Sequence, residues 1–150
     1  MSLETRVSIA EAEQLIKEAF LRNGVKEAVA VSVSTALVAA EAEGQVGHGF
    51  SRVKDYLAQV KSKKINVDAE IKIEHLKPTS ISIDADYGFA YPALDQAITE
   101  GALTAKEYGS AIVSIFNSHH CGALSVQVEK IASQGLIGVM MANTPKAIAP

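Results

Sequence analysis

Tryptophan is absent from these 150 residues, aromatic residues make up only 5%, and there is a single cysteine. One thiol, Cys121, excludes an internal disulfide and fits a reducing compartment. Neither sign of charge is in large excess: 14 Lys+Arg against 17 Asp+Glu leave a net charge of −3. That balance excludes a polybasic nucleic-acid binder. Long apolar runs are missing too. The longest charge-free apolar stretch, Ala28 to Ala40, has 13 residues and includes Ser32, Ser34 and Thr35. A membrane span needs about 20 apolar residues. The N-terminus carries Glu4 and Arg6 and lacks the apolar segment of a secretory signal. What is present is 48% apolar and 21% charged residues, which excludes wholesale disorder. A chain of this length buries roughly 68–70% of its unfolded surface, enough for a core without staples. The expectation is a cytoplasmic globular chain without internal repeats, low-complexity segments, nucleic-acid partners or membrane contact.

The first third reads as helices. Ser8 with Glu11 is a capping box, and Ile9, Ala12, Leu15, Ile16, Ala19 and Phe20 follow helical spacing up to Gly24. Residues 26–43 are ambiguous between strand alternation (Val29, Val31, Val33) and a helical face (Val29, Val33, Ala36, Leu37, Ala40). Their length and the run Ala39-Ala40-Glu41-Ala42-Glu43 favour a mostly buried helix stopped by Gly44. Phe50 to Val60 predicts a third helix with Val53, Tyr56, Leu57 and Val60 on its apolar face. Beyond it, Ala69 to His75 and Thr79 to Ile83 read as strands joined at Lys77-Pro78. Pro92 suits the first turn of a helix running to about Tyr108. Ser110 to Phe116 reads as a strand, Ala123 to Ser133 as a helix ended by Gly135, and Leu136 to Ala142 as another apolar strand. Strand, helix and near-continuously apolar strand argue a parallel βαβ unit. The fold class is therefore α/β (α+β): N-terminal helices, then a mixed or parallel sheet with packed helices.

Two loops are placed for chemistry. In an open parallel sheet, ligands collect at the C-terminal strand ends. Here that address is Asn117-Ser118-His119-His120-Cys121-Gly122-Ala123-Leu124. Gly122 permits close approach, and the free N–H groups of the helix start favour an anion. A plain alternative is a capped helix with two solvated histidines. Three consecutive residues of an extended segment cannot all face one ion, so His119-His120-Cys121 argues against a metal site, and a zinc protein stays as a third reading. No cysteine-hydrolase signature surrounds Cys121. The second loop is Gly47-His48-Gly49-Phe50-Ser51-Arg52. A histidine between glycines suits proton transfer near neutral pH. Arg52, one helical turn on, suits a substrate carboxylate. A loop histidine and a solvated arginine are the competing description. Neither G-x-G-x-x-G nor a P-loop occurs, so a bound nucleotide lies outside the Rossmann fingerprint.

Several ordered stretches share a likeness. These are Ala36 to Gly44, Gly47-His48-Gly49-Phe50-Ser51-Arg52 with Tyr56, Gly88-Phe89-Ala90, Ser118 to Leu124, Gly135-Leu136-Ile137, and Asn143-Thr144-Pro145 with Ala149-Pro150. Together they resemble the malate/L-lactate dehydrogenase family, the NAD(P)-dependent group without a Rossmann fold. The resemblance implies an oxidoreductase moving hydride between a nicotinamide cofactor and a 2-oxo or 2-hydroxy acid or a cyclic imino acid. It implies His48 as proton donor, Arg52 as the holder of the substrate carboxylate, and His120, Cys121, Gly122, Ala123 and Leu124 as the lining of the cofactor pocket. The cofactor is NAD or NADP, with NADPH preferred. His119 to Leu124 look closer to the branch reducing Δ1-piperideine-2-carboxylate and Δ1-pyrroline-2-carboxylate. Two features depart from the family. Gly47 stands where a serine of the proton relay is common, and relatives are roughly twice as long. The chain accordingly looks like the N-terminal part of a longer enzyme, with residues 1–66 as a helical segment and 67–150 as the first part of an α/β nucleotide-binding domain. A homodimer or a missing C-terminal half would cover the apolar edge at Leu136–Ala142. The competing class is a truncated or partner-dependent binding module that keeps the fold without turnover.

Overall fold

The computed structural model describes residues 6–143. Thr144-Pro145 and Ala149-Pro150, among the stretches that carry the resemblance, lie outside the described residues, as does Glu4. Three helices come first: α1 (Ile9–Leu21), α2 (Glu27–Ala42) and α3 (Ser51–Lys61). Then follow β1 (Lys72–Lys77), β2 (Ser80–Asp84), α4 (Ala90–Tyr108), β3 (Ile112–Phe116) and α5 (Leu124–Ala132).

The capping box forms as its spacing requires. Ser8 Oγ accepts from Glu11 N–H at 3.2 Å, and the Glu11 carboxylate accepts from Ser8 N–H at 2.9 Å. The Glu11 carboxylate also accepts from Ser8 Oγ–H at 2.7 Å, and that bond first, then the one from Ser8 N–H, holds the Glu11 carboxyl below its ordinary pKa. Residues 27–42 are helical rather than extended. Ala30, Val33, Ser34, Ala36, Leu37, Val38 and Ala40 are all buried there. A helix covered on most sides is apolar nearly all round, which is why its sequence shows no clean stripe. Helix α3 buries Tyr56 and Val60 as its periodicity predicts.

The three strands form one sheet in the order β1-β2-β3, with β1 and β2 antiparallel and β2 and β3 parallel. Helix α4 makes the crossover, so the parallel βαβ unit is β2-α4-β3. Its inward face carries Ile81 and Ile83, which pack with Ala85, Ala93 and Ala97. The larger core joins all parts of the chain: Phe20, Leu37, Tyr56, Ile65, Phe89, Tyr91 and Leu94 share one cluster, with Phe20 and Phe89 edge to face at 5.6 Å.

Leu136 to Ala142 departs from expectation. Among the described residues this stretch pairs with no strand. Its side chains alternate all the same. Met140 packs on the core, whereas Ile137, Val139 and Met141 are 99%, 82% and 88% exposed. Apolar composition makes a segment extended, but only a partner strand makes it a β-strand, since the ladder hydrogen bonds come from outside the segment.

Parallel pairing places the site. The register sets Asp84 opposite Phe116, so the loops leaving β2 and β3 emerge side by side. Tyr87 N–H donates to Asn117 O at 2.6 Å, His119 N–H donates to Gly88 O at 3.1 Å, and Asn117 Nδ2 donates to Asp84 Oδ1 at 3.1 Å. Three left-handed residues, Asp86, Tyr87 and Asn117, allow these sharp turns.

Candidate active site

The α2–α3 loop carries His48 across the end of the sheet. It is a series of tight turns: His48 N–H donates to Gln45 O at 2.8 Å, and Ser51 Oγ donates to Val46 O at 2.6 Å. Glu41, near the end of α2, reaches over the loop and accepts from Phe50 N–H at 2.8 Å. Gly49 is a glycine for this reason. A Cβ there would collide with the Glu41 carboxylate and meet its backbone at 3.0 Å. Gly49 thus serves a close packing contact.

His48 and His120 meet face to face. Their ring centroids are 5.4 Å apart and their planes differ by 7°. His48 Nδ1 is buried and has no hydrogen-bond partner among the described residues. An unsatisfied buried ring nitrogen costs free energy, and such groups in native folds concentrate where function uses them. His120 Nδ1 is engaged by Tyr56 Oη at 2.7 Å and by Gly122 N–H at 3.3 Å. Burial, the Arg52 charge and His48 together lower the His120 pKa from its ordinary value. His120 is therefore a neutral ring near pH 7, suited to hydrogen bonding rather than to carrying a proton.

Arg52, in the first turn of α3, donates through Nε to Gly47 O at 2.6 Å, with Nη1 4.0 Å from Asp55 Oδ2. Its terminal nitrogens make no hydrogen bond among the described residues. The guanidinium is thus held by its own loop while its outer edge stays available for an anion, and its charge is felt at both His120 and Tyr56.

His119, next to His120, is used differently. Its Nε2 lies 2.7 Å from Gln59 Oε1, and its ring stands edge-on to Tyr56 and Phe89. Burial first, then the charges of His120 and Lys64, lower its pKa to about 4. It is a neutral ring whose Nδ1, like that of His48, is buried without a hydrogen-bond partner among the described residues. Cys121 is half-buried, and that burial raises its thiol pKa, so it is a poor nucleophile. Among the described residues, no group of three or more His, Cys, Asp or Glu side chains is arranged to hold a metal ion. No helix among them is long and apolar enough to cross a membrane.

Gly122, Ala123 and Leu124 lead into α5. Gly122 has φ +69°, and a Cβ on it would come within 2.5 Å of Tyr91 Oη. Gly122→Ala is therefore expected to lower unfolding stability by about 1–3 kcal/mol, through left-handed strain plus overpacking. Denaturant unfolding measures this, and an unchanged midpoint would show that Tyr91 yields freely. Helix α5 starts at Leu124, and its N-cap residue Ala123 supplies no side-chain cap. Its first-turn N–H groups are left for an external acceptor.

Glu41, Tyr56, Gln59 and Tyr91 belong to the site framework, and local sequence reading does not assign them that place. Tyr56 gives a faint signal, as a phenol on an apolar helix face whose hydroxyl must find a partner.

Residues 7–150 match the family described as malate/L-lactate dehydrogenase. The (2R)-3-sulfolactate dehydrogenase (NADP(+)) of Chromohalobacter salexigens is 37% identical over 96% of this chain and 43% of its own length. The ureidoglycolate dehydrogenase (NAD(+)) of Escherichia coli K12 is 30% identical over 97% of this chain and 42% of its own. The crystal structure of Δ1-piperideine-2-carboxylate reductase from Pseudomonas syringae pv. tomato superposes with a TM-score of 0.84 at 31% identity, over 88% of this chain and 40% of that one. The sulfolactate enzyme is thus more similar in sequence than this member of the imino-acid branch. The chain spans less than half the length of these relatives. The ordered loops, the helix-then-sheet architecture and the matches along nearly the whole chain agree, and the chain belongs to the malate/L-lactate dehydrogenase family.

Proposed function

We propose that this chain supplies the proton-donating and carboxylate-holding part of a nicotinamide-dependent oxidoreductase acting on a small 2-oxo or 2-hydroxy acid or a cyclic imino acid. The observation that carries the reading is the parallel stack of His48 on His120 beside the Arg52 charge. When bound, NAD(H) or NADP(H) supplies the hydride chemistry. The residues present suit such a group. The uncapped α5 start offers N–H donors to an anion. His120, Cys121, Gly122, Ala123 and Leu124 would hold the cofactor.

The chain's own residues have separable tasks. Arg52 Nε is spent on Gly47 O, so its terminal nitrogens hold the substrate carboxylate. A carbonyl oxygen becomes an alkoxide when its carbon gains hydride, and an imine nitrogen likewise needs a proton. His48 delivers that proton. His120, held neutral, does not compete for this role. Gly47 offers no relay hydroxyl. Nothing lies within 4 Å of where its Cβ would be, so water or a substrate hydroxyl serves there.

In this reading residues 1–66 bring the acid–base loop, and 67–150 open the nucleotide-binding domain. Further polypeptide or a second copy of the chain covers the open face at Ile137, Val139 and Met141. NADH and NADPH titrations, followed by calorimetry and by the imidazole resonances of His120, test the proposal. Saturable binding that moves those resonances is expected. Carboxylate binding without any dinucleotide heat or shift overturns it in favour of a binding module without turnover.

A further inference from the structure

Tyr56 sits where the two site loops meet. Its side chain is buried, and its hydroxyl lies 2.7 Å from His120 Nδ1 and 3.0 Å from Tyr91 Oη. A third contact sets the direction of these bonds. Gly122 N–H points at the same Nδ1, at 3.3 Å. A backbone N–H can only donate, so Nδ1 presents a lone pair and carries no proton. Tyr56 O–H therefore donates to Nδ1, and Tyr91 O–H donates to the Tyr56 oxygen. Both phenols keep their protons near neutral pH, because burial pushes Tyr56 up to about 12 and Tyr91 higher still. A neutral imidazole with a bare Nδ1 has its proton on Nε2.

We propose that Tyr56 is a positioning residue whose hydroxyl, backed by Tyr91, holds His120 as the Nε2–H tautomer and so decides which ring nitrogen faces a ligand as a donor. The geometry fixes the ring in two ways. The His48 stack at 5.4 Å restrains the plane of His120, and the bonds to Nδ1 restrain its rotation within that plane. Tyr56 lies one turn after Arg52 on α3, so a single hydroxyl ties the proton-donor side of the site to the loop after β3. The uncovered donor, Nε2–H, suits a carbonyl or carboxylate oxygen and not a cation. Partners one bond removed from a working histidine commonly set its tautomer in this way. The inference rests on the proposed oxidoreductase reading only for what the donor meets, since the tautomer belongs to the chain itself.

Nitrogen NMR of histidine-labelled protein tests it without cofactor or turnover. Wild type is expected to show His120 with an unprotonated, hydrogen-bonded Nδ1 and a protonated Nε2. Tyr56→Phe keeps the ring and removes the hydroxyl, and should move Nδ1 toward the unbonded position and turn one tautomer into a mixture. Tyr91→Phe leaves the direct bond in place and should give a smaller shift in the same direction. A proton on Nδ1 in wild type overturns the proposal, as does a folded Tyr56→Phe with unchanged His120 resonances. If Tyr56→Phe fails to fold, the wild-type tautomer and the Tyr91→Phe shift decide. Failure of the dinucleotide titration would leave this result standing, and a wild-type Nδ1–H would sink it even where the dinucleotide binds.

Discussion

His48→Asn is expected to lower kcat by at least ~10²-fold in the holoenzyme while dinucleotide affinity changes only a few-fold. Asparagine keeps a polar group of similar reach but cannot give up a proton at neutral pH. Hydride addition to a carbonyl or imine carbon without a nearby proton source leaves the developing charge unsupported. Of the three histidines at the site, only His48 is free for this task. His119 is committed to Gln59 with its pKa lowered to about 4. His120 accepts at Nδ1 and is held neutral by burial and by Arg52. Near-normal kcat in His48→Asn, with the loss appearing in His120→Asn instead, would show that the two rings have exchanged roles.

Arg52→Lys should cost about 10- to 100-fold in kcat/KM for carboxylate substrates, the scale of one or two charge-assisted hydrogen bonds. Lysine keeps the positive charge but loses the planar fork. It also loses the Nε bond to Gly47 O, which ties the helix start to the loop bearing His48. The two losses separate by substrate. Weaker carboxylate holding raises KM and spares a neutral amide analogue, whereas displacement of His48 lowers kcat for both. An unchanged kcat/KM for the carboxylate substrate removes Arg52 from the binding site.

Local physics makes much of this fold legible. The Ser8–Glu11 capping box, the apolar face of α3 and the alternation in β2 depend on neighbours within one or two turns. They read directly from spacing. The two glycine-bearing loops are legible as places for chemistry because glycine permits what no other residue does. The ambiguous stretch at 27–42 shows the limit of periodicity. A helix buried nearly all round loses its stripe, and length and alanine content have to decide. Leu136–Ala142 shows the opposite limit. Its composition is that of a strand, but strand formation depends on a partner that lies outside the segment.

The sequence by itself determined the helices, the first three strands, the low net charge and the stretches where His48, Arg52 and His120 sit, because each rests on residues close together in the chain. Only the tertiary structure decided that His48 stacks on His120, that His119 meets Gln59, that Gly49 makes room for Glu41, and that Tyr56 reaches a histidine 64 positions away. The physical reason is the parallel register of β2 and β3. It brings the loop after each strand to the same end of the sheet, where packing of α2 and α3 delivers the histidine loop. Contacts at such separations come from the closure of the whole core, and no local pattern records which partners it will select.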